Sequence, residues 1–330
     1  MQSSDAKQPS AALRDRRGLV WSYALGTAAP RDEDSLDEDV SDGPLWLHFN
    51  LTDARARSWL LERAQLPQAA LALLLDPRPR VRLTLLDEGI AGVVEDLHHD
   101  FHGDPEGFGE LRFFIDERRI ISIRRHPLRA VDLLRRRIEA RLCVQSASDW
   151  IVHFIEALAN SFGDAVLELV FQVDALEDDI VDGAGHASRA KLADLRRLLV
   201  RFRRHVNADR NALAVLRMRE QEEPSAQSPL RSALDHLDGV ALDLDLVHER
   251  VRLLQDEVSG ILAEATSRNL YVLSVVTTVL LPTTVITGLW GMNVGGLPFE
   301  HHPHGFLWVA LIVLGSVVLS LVLLRGTRAL

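Results

Sequence analysis

Two runs near the C-terminus restrict what this chain can become more than any other feature: Leu270 to Trp290 is 21 residues without a charge, and Phe306 to Leu324 is 19. A helix of about 20 apolar residues matches the hydrocarbon thickness of a bilayer. Buried hairpins of a soluble protein are the competing reading, and two such runs so close together disfavour it. Each run is therefore read as a transmembrane helix. Residues 291 to 305 between them contain no Lys or Arg, whereas Arg268 precedes the first span and Arg325 and Arg328 follow the second. Basic residues stay on the cytoplasmic side, so a multi-pass protein of a bacterial inner membrane with both termini in the cytoplasm is expected.

The polarity that the spans lack is concentrated ahead of them. Of 37 Lys+Arg and 47 Asp+Glu, only Arg325, Arg328 and Glu300 lie beyond Asn269, which leaves 35 against 46, a formal charge of −11, in residues 1 to 269. An acidic soluble part makes nucleic acid an unsuitable partner, and its acids are expected to concentrate cations. Cys143 is the only cysteine, so neither an intrachain disulfide nor a paired thiolate site can be built. The first seventeen residues have no apolar core, so no secretory signal is expected and they are read as a flexible tail.

Residues 18 to 127 alternate strand-like runs with short helices. GLVWSYAL, PLWLHF, VRLTLL, IAGVVEDL, ELRFFI and RRIISIRR are rich in β-branched or aromatic residues and bounded by turn signals. Residues 87 to 89 and 116 to 119 look like hairpin turns. Thr52 or Asp53 can cap a helix through Leu61, and Pro67 opens another that ends before Asp76. This is a cytoplasmic α/β domain. From 128 to 228 the pattern becomes helical, at roughly 128 to 143, 147 to 181 and 187 to 221. A stalk helix follows at 229 to 269, where Leu237, Val240, Leu244, Val247, Val251, Leu254, Val258, Ile261 and Ala265 form a heptad seam. No loop signal separates the stalk from the first span, so one helix of about 60 residues, or about 90 Å, is predicted. The fold class is thus an α+β membrane protein with two C-terminal transmembrane helices, at 270 to 290 and 306 to 324, an outer loop at 291 to 305 and a cytoplasmic tail at 325 to 330.

Within the first span, Leu270, Ser274, Thr277, Leu281, Thr284 and Gly288 fall near one stripe at spacings of three, four and seven. A pore face and a helix-packing face of small residues both produce such a stripe. Pro282 frees a carbonyl near its middle. Directly after the span stands Gly291-Met292-Asn293, continuing as Val294-Gly295-Gly296-Leu297-Pro298. A Gly-Met-Asn tripeptide closing the penultimate span, then a short loop, a last span and a basic tail, resembles the CorA-type divalent-cation transporters. The continuation resembles the zinc-transporting ZntB branch more than the magnesium branch, whose loop usually carries an acidic Pro-Glu-Leu element that is absent here.

The resemblance implies a homopentamer with a funnel-shaped cytoplasmic domain and the first spans lining one central pore, most closely a zinc transporter, with proton-linked uptake as the branch's associated mode. Its selectivity filter would be Gly291, Met292 and Asn293: Gly291 giving a sharp turn, Met292 packing, and Asn293 turning an amide oxygen to the axis. Two spans per chain cannot enclose an aqueous path, which independently asks for a ring. Five amide oxygens suit an ion that gives up its water reluctantly. The expected partners are the chain's own copies, divalent cations and lipid, and no cofactor is expected beyond the transported ion, Zn2+. Glu300, His301, His302 and His304 in the outer loop are candidate metal ligands, set against a solvated connection. His98, His99 and His102 are either a solvated hairpin or a regulatory metal site. No HExxH, P-loop, complete GxGxxG or nucleophile elbow occurs, so no enzymatic chemistry is visible. The rival readings are a magnesium, cobalt or nickel channel of the same fold, and a membrane-anchored cytoplasmic sensor.

Overall fold

The computed structural model describes residues 18–26, 29–30, 44–100, 107–182, 185–222, 228–292, 296–298 and 303–327. It divides into two compact units at Gln255 and Asp256.

The first unit is built on a seven-stranded sheet of order β2-β1-β3-β7-β6-β5-β4. Its strands are β1 (Leu19–Ala24), β2 (Ala29–Pro30), β3 (Leu45–Asn50), β4 (Arg82–Leu86), β5 (Gly89–Leu97), β6 (Phe108–Ile115) and β7 (Arg119–Arg124). All neighbours are antiparallel except β3 and β7. The two expected hairpin turns join β4 to β5 and β6 to β7; at the first, a side chain on Gly89 would meet the Ile115 carbonyl at 2.1 Å. The two-residue β2 carries no hydrophobic pattern and was not foreseen.

Helices cover both faces, which is why the central strands are buried along almost their whole length. On one face α1 (Ala54–Glu62) and α2 (Gln68–Leu74) pack Leu60, Leu73 and Leu74 onto Leu47, Val93, Phe114 and Ile121. Asp53 caps α1, its side chain accepting from the Arg55 N–H. The alternate residues face an aromatic layer, in which Trp46 and Trp150 meet edge to face at 5.6 Å and Trp150 stacks on Phe154 at 5.2 Å. Gly92 makes room for that layer, since a Cβ there would lie 2.4 Å from Cζ of Phe113.

One charged side chain sits inside this core. Arg112 is 2% exposed, and its Nη1 donates to the carbonyls of Leu74 at 2.8 Å and Asp76 at 2.7 Å, at the C-terminal end of α2, while Nη2 meets Glu110 at 3.1 Å. A guanidinium at a helix C-terminus satisfies carbonyls that have no helical partner and complements the dipole.

Three helices follow: α3 (Arg129–Glu139), α4 (Ala147–Val181) and α5 (Gly185–Glu222). The first is shorter than the expected 128 to 143, because the chain leaves the helix at Ala140 and Arg141 takes a positive φ of 71°. Ser146 and Asp149 close a reciprocal capping box at the start of α4. The stalk and first apolar run are one helix, α6 (Pro229–Gly291, 63 residues), and α7 (Gly305–Thr327) carries the second run. In the seam of α6, Leu237, Val240, Leu244, Val247, Val251, Leu254 and Val258 are buried, whereas Ile261 and Ala265 are exposed in the single chain. Within one chain the buried part of the seam thus stops at Val258, a heptad before the sequence pattern ends.

Arginines of α5 form a ladder to acids of α6 that the sequence reading left to solvent. Arg203 meets Asp245 at 2.6 Å, Arg210 meets Asp238 at 2.7 Å, and Arg217 meets Asp238 at 2.9 Å and Asp235 at 3.1 Å. Both hydrogen-bonded arginines hold the Asp238 carboxyl below the usual carboxylate range, against the opposing effect of burial. The cation-attracting field expected of the stalk is thus partly cancelled at these positions.

Candidate functional site

The second unit contains the two apolar stretches, and each is on a helix long and apolar enough to cross a membrane. Leu270, Ser274, Thr277, Leu281, Thr284 and Gly288 are all exposed in the single chain. The half-buried residues of the same stretch, among them Val279, Pro282, Ile286 and Trp290, lie on the opposite side, since two residues' separation turns a helix by about 200°. The predicted stripe is therefore a free face.

Its polar members are Ser274, Thr277 and Thr284, and the two threonine hydroxyls are already engaged. Thr277 Oγ1 donates to the Leu273 carbonyl and Thr284 Oγ1 to the Leu280 carbonyl, each at 2.8 Å. Thr278, Thr283 and Thr287 bond back in the same way, to Ser274, Val279 and Thr283. Such i−4 bonds let a hydroxyl sit on an apolar helix without an unmet donor. Between them Pro282, with no N–H, cannot bond to the carbonyl of Thr278, which loosens the helix at the centre of the face.

The end of the span differs from expectation in one detail. Gly291 is the last residue of α6, its φ lies outside the positive region, and a Cβ there would meet nothing within 4 Å in the single chain. The positive φ, 103°, belongs to Gly296. Gly291 itself thus closes the helix without a left-handed backbone. Trp290 pins the loop beside the helix end, its Nε1 donating to the Pro298 carbonyl at 3.1 Å. Met292 is exposed. Asn293 lies outside the described residues, as do Glu300, His301 and His302. His304 is described and exposed, and its carbonyl accepts from the N–H groups of Leu307 and Trp308 at 3.0 and 3.3 Å, opening α7.

The histidine-rich hairpin between β5 and β6 does not form a metal cluster among the described residues, where no three His, Cys, Asp or Glu converge. His98 bridges to Leu128 and packs against His126 at 5.1 Å, and His99 faces Asp132 at 3.8 Å. His102 lies outside the described residues.

Two polar groupings of the soluble unit escaped the sequence reading. His48 is fully buried, with Nδ1 2.8 Å from Ser122 Oγ and Nε2 accepting from Arg124 Nε at 2.8 Å. Burial, with Arg124 and Arg135 nearby, keeps this imidazole well below its ordinary pKa and hence neutral. Asp96 is also fully buried and accepts from the N–H groups of Leu97 at 2.7 Å and, at the start of α3, of Ala130 at 2.8 Å and Val131 at 3.4 Å. Burial raises its pKa to about 7 against the pull of those three donors and Arg129. Nothing in the residue pattern marks either; a lone His or Asp inside a strand was the available signal.

Comparison with known proteins adds three findings. The family described as CorA-like Mg2+ transporter protein matches residues 41–325. The chain is 30% identical over 316 residues to a divalent cation transporter, CmaX, of Pseudomonas aeruginosa, covering 92% of this chain and 94% of that one. It is 29% identical over 305 residues to the zinc transport protein ZntB of Pectobacterium atrosepticum, covering 90% and 91%. Among solved structures, full-length CmaX superposes with a TM-score of 0.75 at 28% identity, over 95% of this chain and 99% of that one. The CorA magnesium transporter of Methanocaldococcus jannaschii shares the fold at a TM-score of 0.68 and 16% identity, over 92% and 96%.

Proposed function

This chain belongs to the CorA-like Mg2+ transporter family, and we propose that it works as a homopentameric zinc channel of a bacterial inner membrane, both termini in the cytoplasm. Divalent cation transport, not an enzymatic reaction, is the activity of that family, and the protein is a membrane protein with two C-terminal apolar helices. The observation that carries the pore assignment is the uncharged stripe from Leu270 to Gly288, which holds Ser274, Thr277 and Thr284, is exposed in the single chain as most of that span is, and leads in sequence into Gly291, Met292 and Asn293. One copy leaves that face uncovered, and rotation about an axis is the symmetric way to turn it inward. Hydrated cations then meet hydroxyl oxygens along the bore and, at its outer end, the Asn293 amide oxygen, which hydrogen-bonds their water shell.

Zinc is favoured over other divalent ions by two supports. The similarity to zinc transport proteins extends over nine-tenths of the chain, and the outer loop holds Glu300, His301, His302 and His304 within five residues. Imidazole suits zinc, whereas magnesium takes oxygen ligands. The equal similarity to CmaX, described only as a divalent cation transporter, supports a broader channel as the second reading. Flux into sealed proteoliposomes, with zinc and with magnesium and with and without a pH gradient, tests both. Zinc uptake well above magnesium uptake is expected. Equal rates would favour the broader channel, a gradient-independent rate would remove proton linkage, and absence of any flux would leave the spans as an anchor.

A further inference from the structure

Helix α5 lies against the sheet through a carboxyl group that has no counter-charge. Asp209 is 0% exposed. Its Oδ1 accepts from the backbone N–H of Glu95 at 2.9 Å, while Oδ2 is buried without a hydrogen-bond partner. The described charged groups of the elements packed against α5 are held elsewhere or carry like charge; on α4, His153 is paired with Glu156 at 3.0 Å. From β5, Glu95 and Asp96 both act on Asp209 as like charges. On α5, His205 stands one turn earlier with its Nδ1 on the Glu95 carboxylate, and Arg210 turns away to Asp238 of α6 and to Asn207. From α3, Arg129 acts on Asp96. From β6, Glu110 stands opposite Glu95 and is paired with Arg112, and from β4, Arg82 is exposed.

Among the described residues, no cation is therefore directed at Asp209. Ionised, it would place a bare oxygen in an apolar layer beside two other acids; neutral, it keeps its bond from Glu95 and loses the charge. Burial, reinforced by Glu95 and Asp96 and opposed by the Glu95 N–H, holds its pKa well above the ordinary carboxylate value.

We propose that Asp209 is a proton-operated latch: protonated, it lets α5 close on β5, and its ionisation opens that contact. Opening would be felt on α6, because the arginine ladder ties the two helices together through Arg203, Arg210 and Arg217. The direction follows from linkage. In the open state the carboxyl has its ordinary pKa of about 3.9, and in the closed state a raised one. Closure is thus fully stable below the open-state value and is lost progressively as pH rises towards the closed-state value, opening growing about tenfold per pH unit between them and no further above.

Hydrogen exchange of the full chain in detergent, measured from about pH 5 to pH 7 and divided by the intrinsic amide rate, reads this directly. Peptides around Asp209 should open more as pH rises, by up to about tenfold per pH unit, while those in the middle of α4 stay flat. Asp209→Asn, of the same shape and unable to ionise, should remove the slope; should that variant not fold, Asp209→Ser is likewise untitratable and retains an acceptor for the Glu95 N–H. A flat profile in the wild-type chain overturns the latch. So does a slope that survives either substitution, which would assign the titration to the neighbouring buried Asp96.

Discussion

Arg112 offers the clearest test of how the soluble unit is held together. Replacement by Met keeps the apolar stem and its packing and deletes only the guanidinium. Two carbonyls at the end of α2, those of Leu74 and Asp76, then lose donors at 2.8 and 2.7 Å. The buried Leu74 carbonyl left without a partner costs about 1–3 kcal/mol and the part-buried Asp76 bond, which water can partly replace, about 1 kcal/mol, giving about 2–4 kcal/mol. The Glu110 contact adds no more than about 1 kcal/mol, because that carboxylate is 38% exposed and screened. Arg112→Lys should lie between, since an ammonium lacks the planar fork that meets two acceptors at once. Urea unfolding of the detergent-purified protein, followed by tryptophan fluorescence, is the assay; Trp46 and Trp150 are fully buried in this unit and report its loss. A Met variant within about 0.5 kcal/mol of wild type, inside the scatter of ordinary surface substitutions, would refute the idea that this arginine fastens α2 to the sheet.

Further predictions concern the aromatic layer and the ion path. Gly92→Ala should destabilise the same unit by about 1–3 kcal/mol through overpacking, and Phe113→Leu in the same chain should recover part of that loss; additive effects of the two changes would mean that the ring does not feel the new methyl. Asn293→Ala should abolish zinc and magnesium flux in correctly assembled rings, and near-normal flux would remove Asn293 from the filter. Gly291→Val should leave the soluble unit's unfolding unchanged, because a Cβ there touches nothing within one chain, yet block flux through crowding between copies; unimpaired flux would show that the copies do not approach at this point. Replacing His301, His302 and His304 together by Ser should lower zinc uptake at about pH 7.5 but not at about pH 5.5, where ordinary imidazoles are protonated and cannot coordinate, with magnesium little changed throughout; unaltered zinc uptake would make the loop a solvated connection.

The features legible in the sequence were those that repeat. Six strands, the two hairpin turns, the Asp53 and Pro67 starts of α1 and α2, and the uninterrupted run of α6 all follow from periodicity and turn chemistry, which act over a few residues. The exposed stripe from Leu270 to Gly288 was legible for the same reason. What escaped was set by distant partners. Arg112 stands in the apolar half of its strand, followed by Phe113, Phe114 and Ile115, and only the arrival of α2 on that face shows why it is there. Asp96 reads as a polar residue near a turn until α3 brings its first N–H groups to it across 34 residues of sequence. Acids of α6 off the seam looked like a solvated face, since the arginines that meet them belong to α5. Gly291 was assigned a turn from its place beside the motif, whereas backbone geometry gives the positive φ to Gly296.

The threonines of the first apolar stretch have a consequence for the way an uncharged tube treats positive charge. A hydroxyl carries one hydrogen and two lone pairs, and at Thr277 and Thr284 the hydrogen is already spent on the helix's own carbonyls. The oxygen can then only accept. Each such side chain presents the negative end of its dipole away from the backbone, fixed in sign by the bond behind it. At the levels of Thr277 and Thr284 a ring of copies would surround passing water with acceptors, which orients the water's hydrogens outward to the wall and its oxygens inward. That is the arrangement a hydrated cation needs and a hydrated anion cannot use, so discrimination by sign is available to this face without one ionisable group.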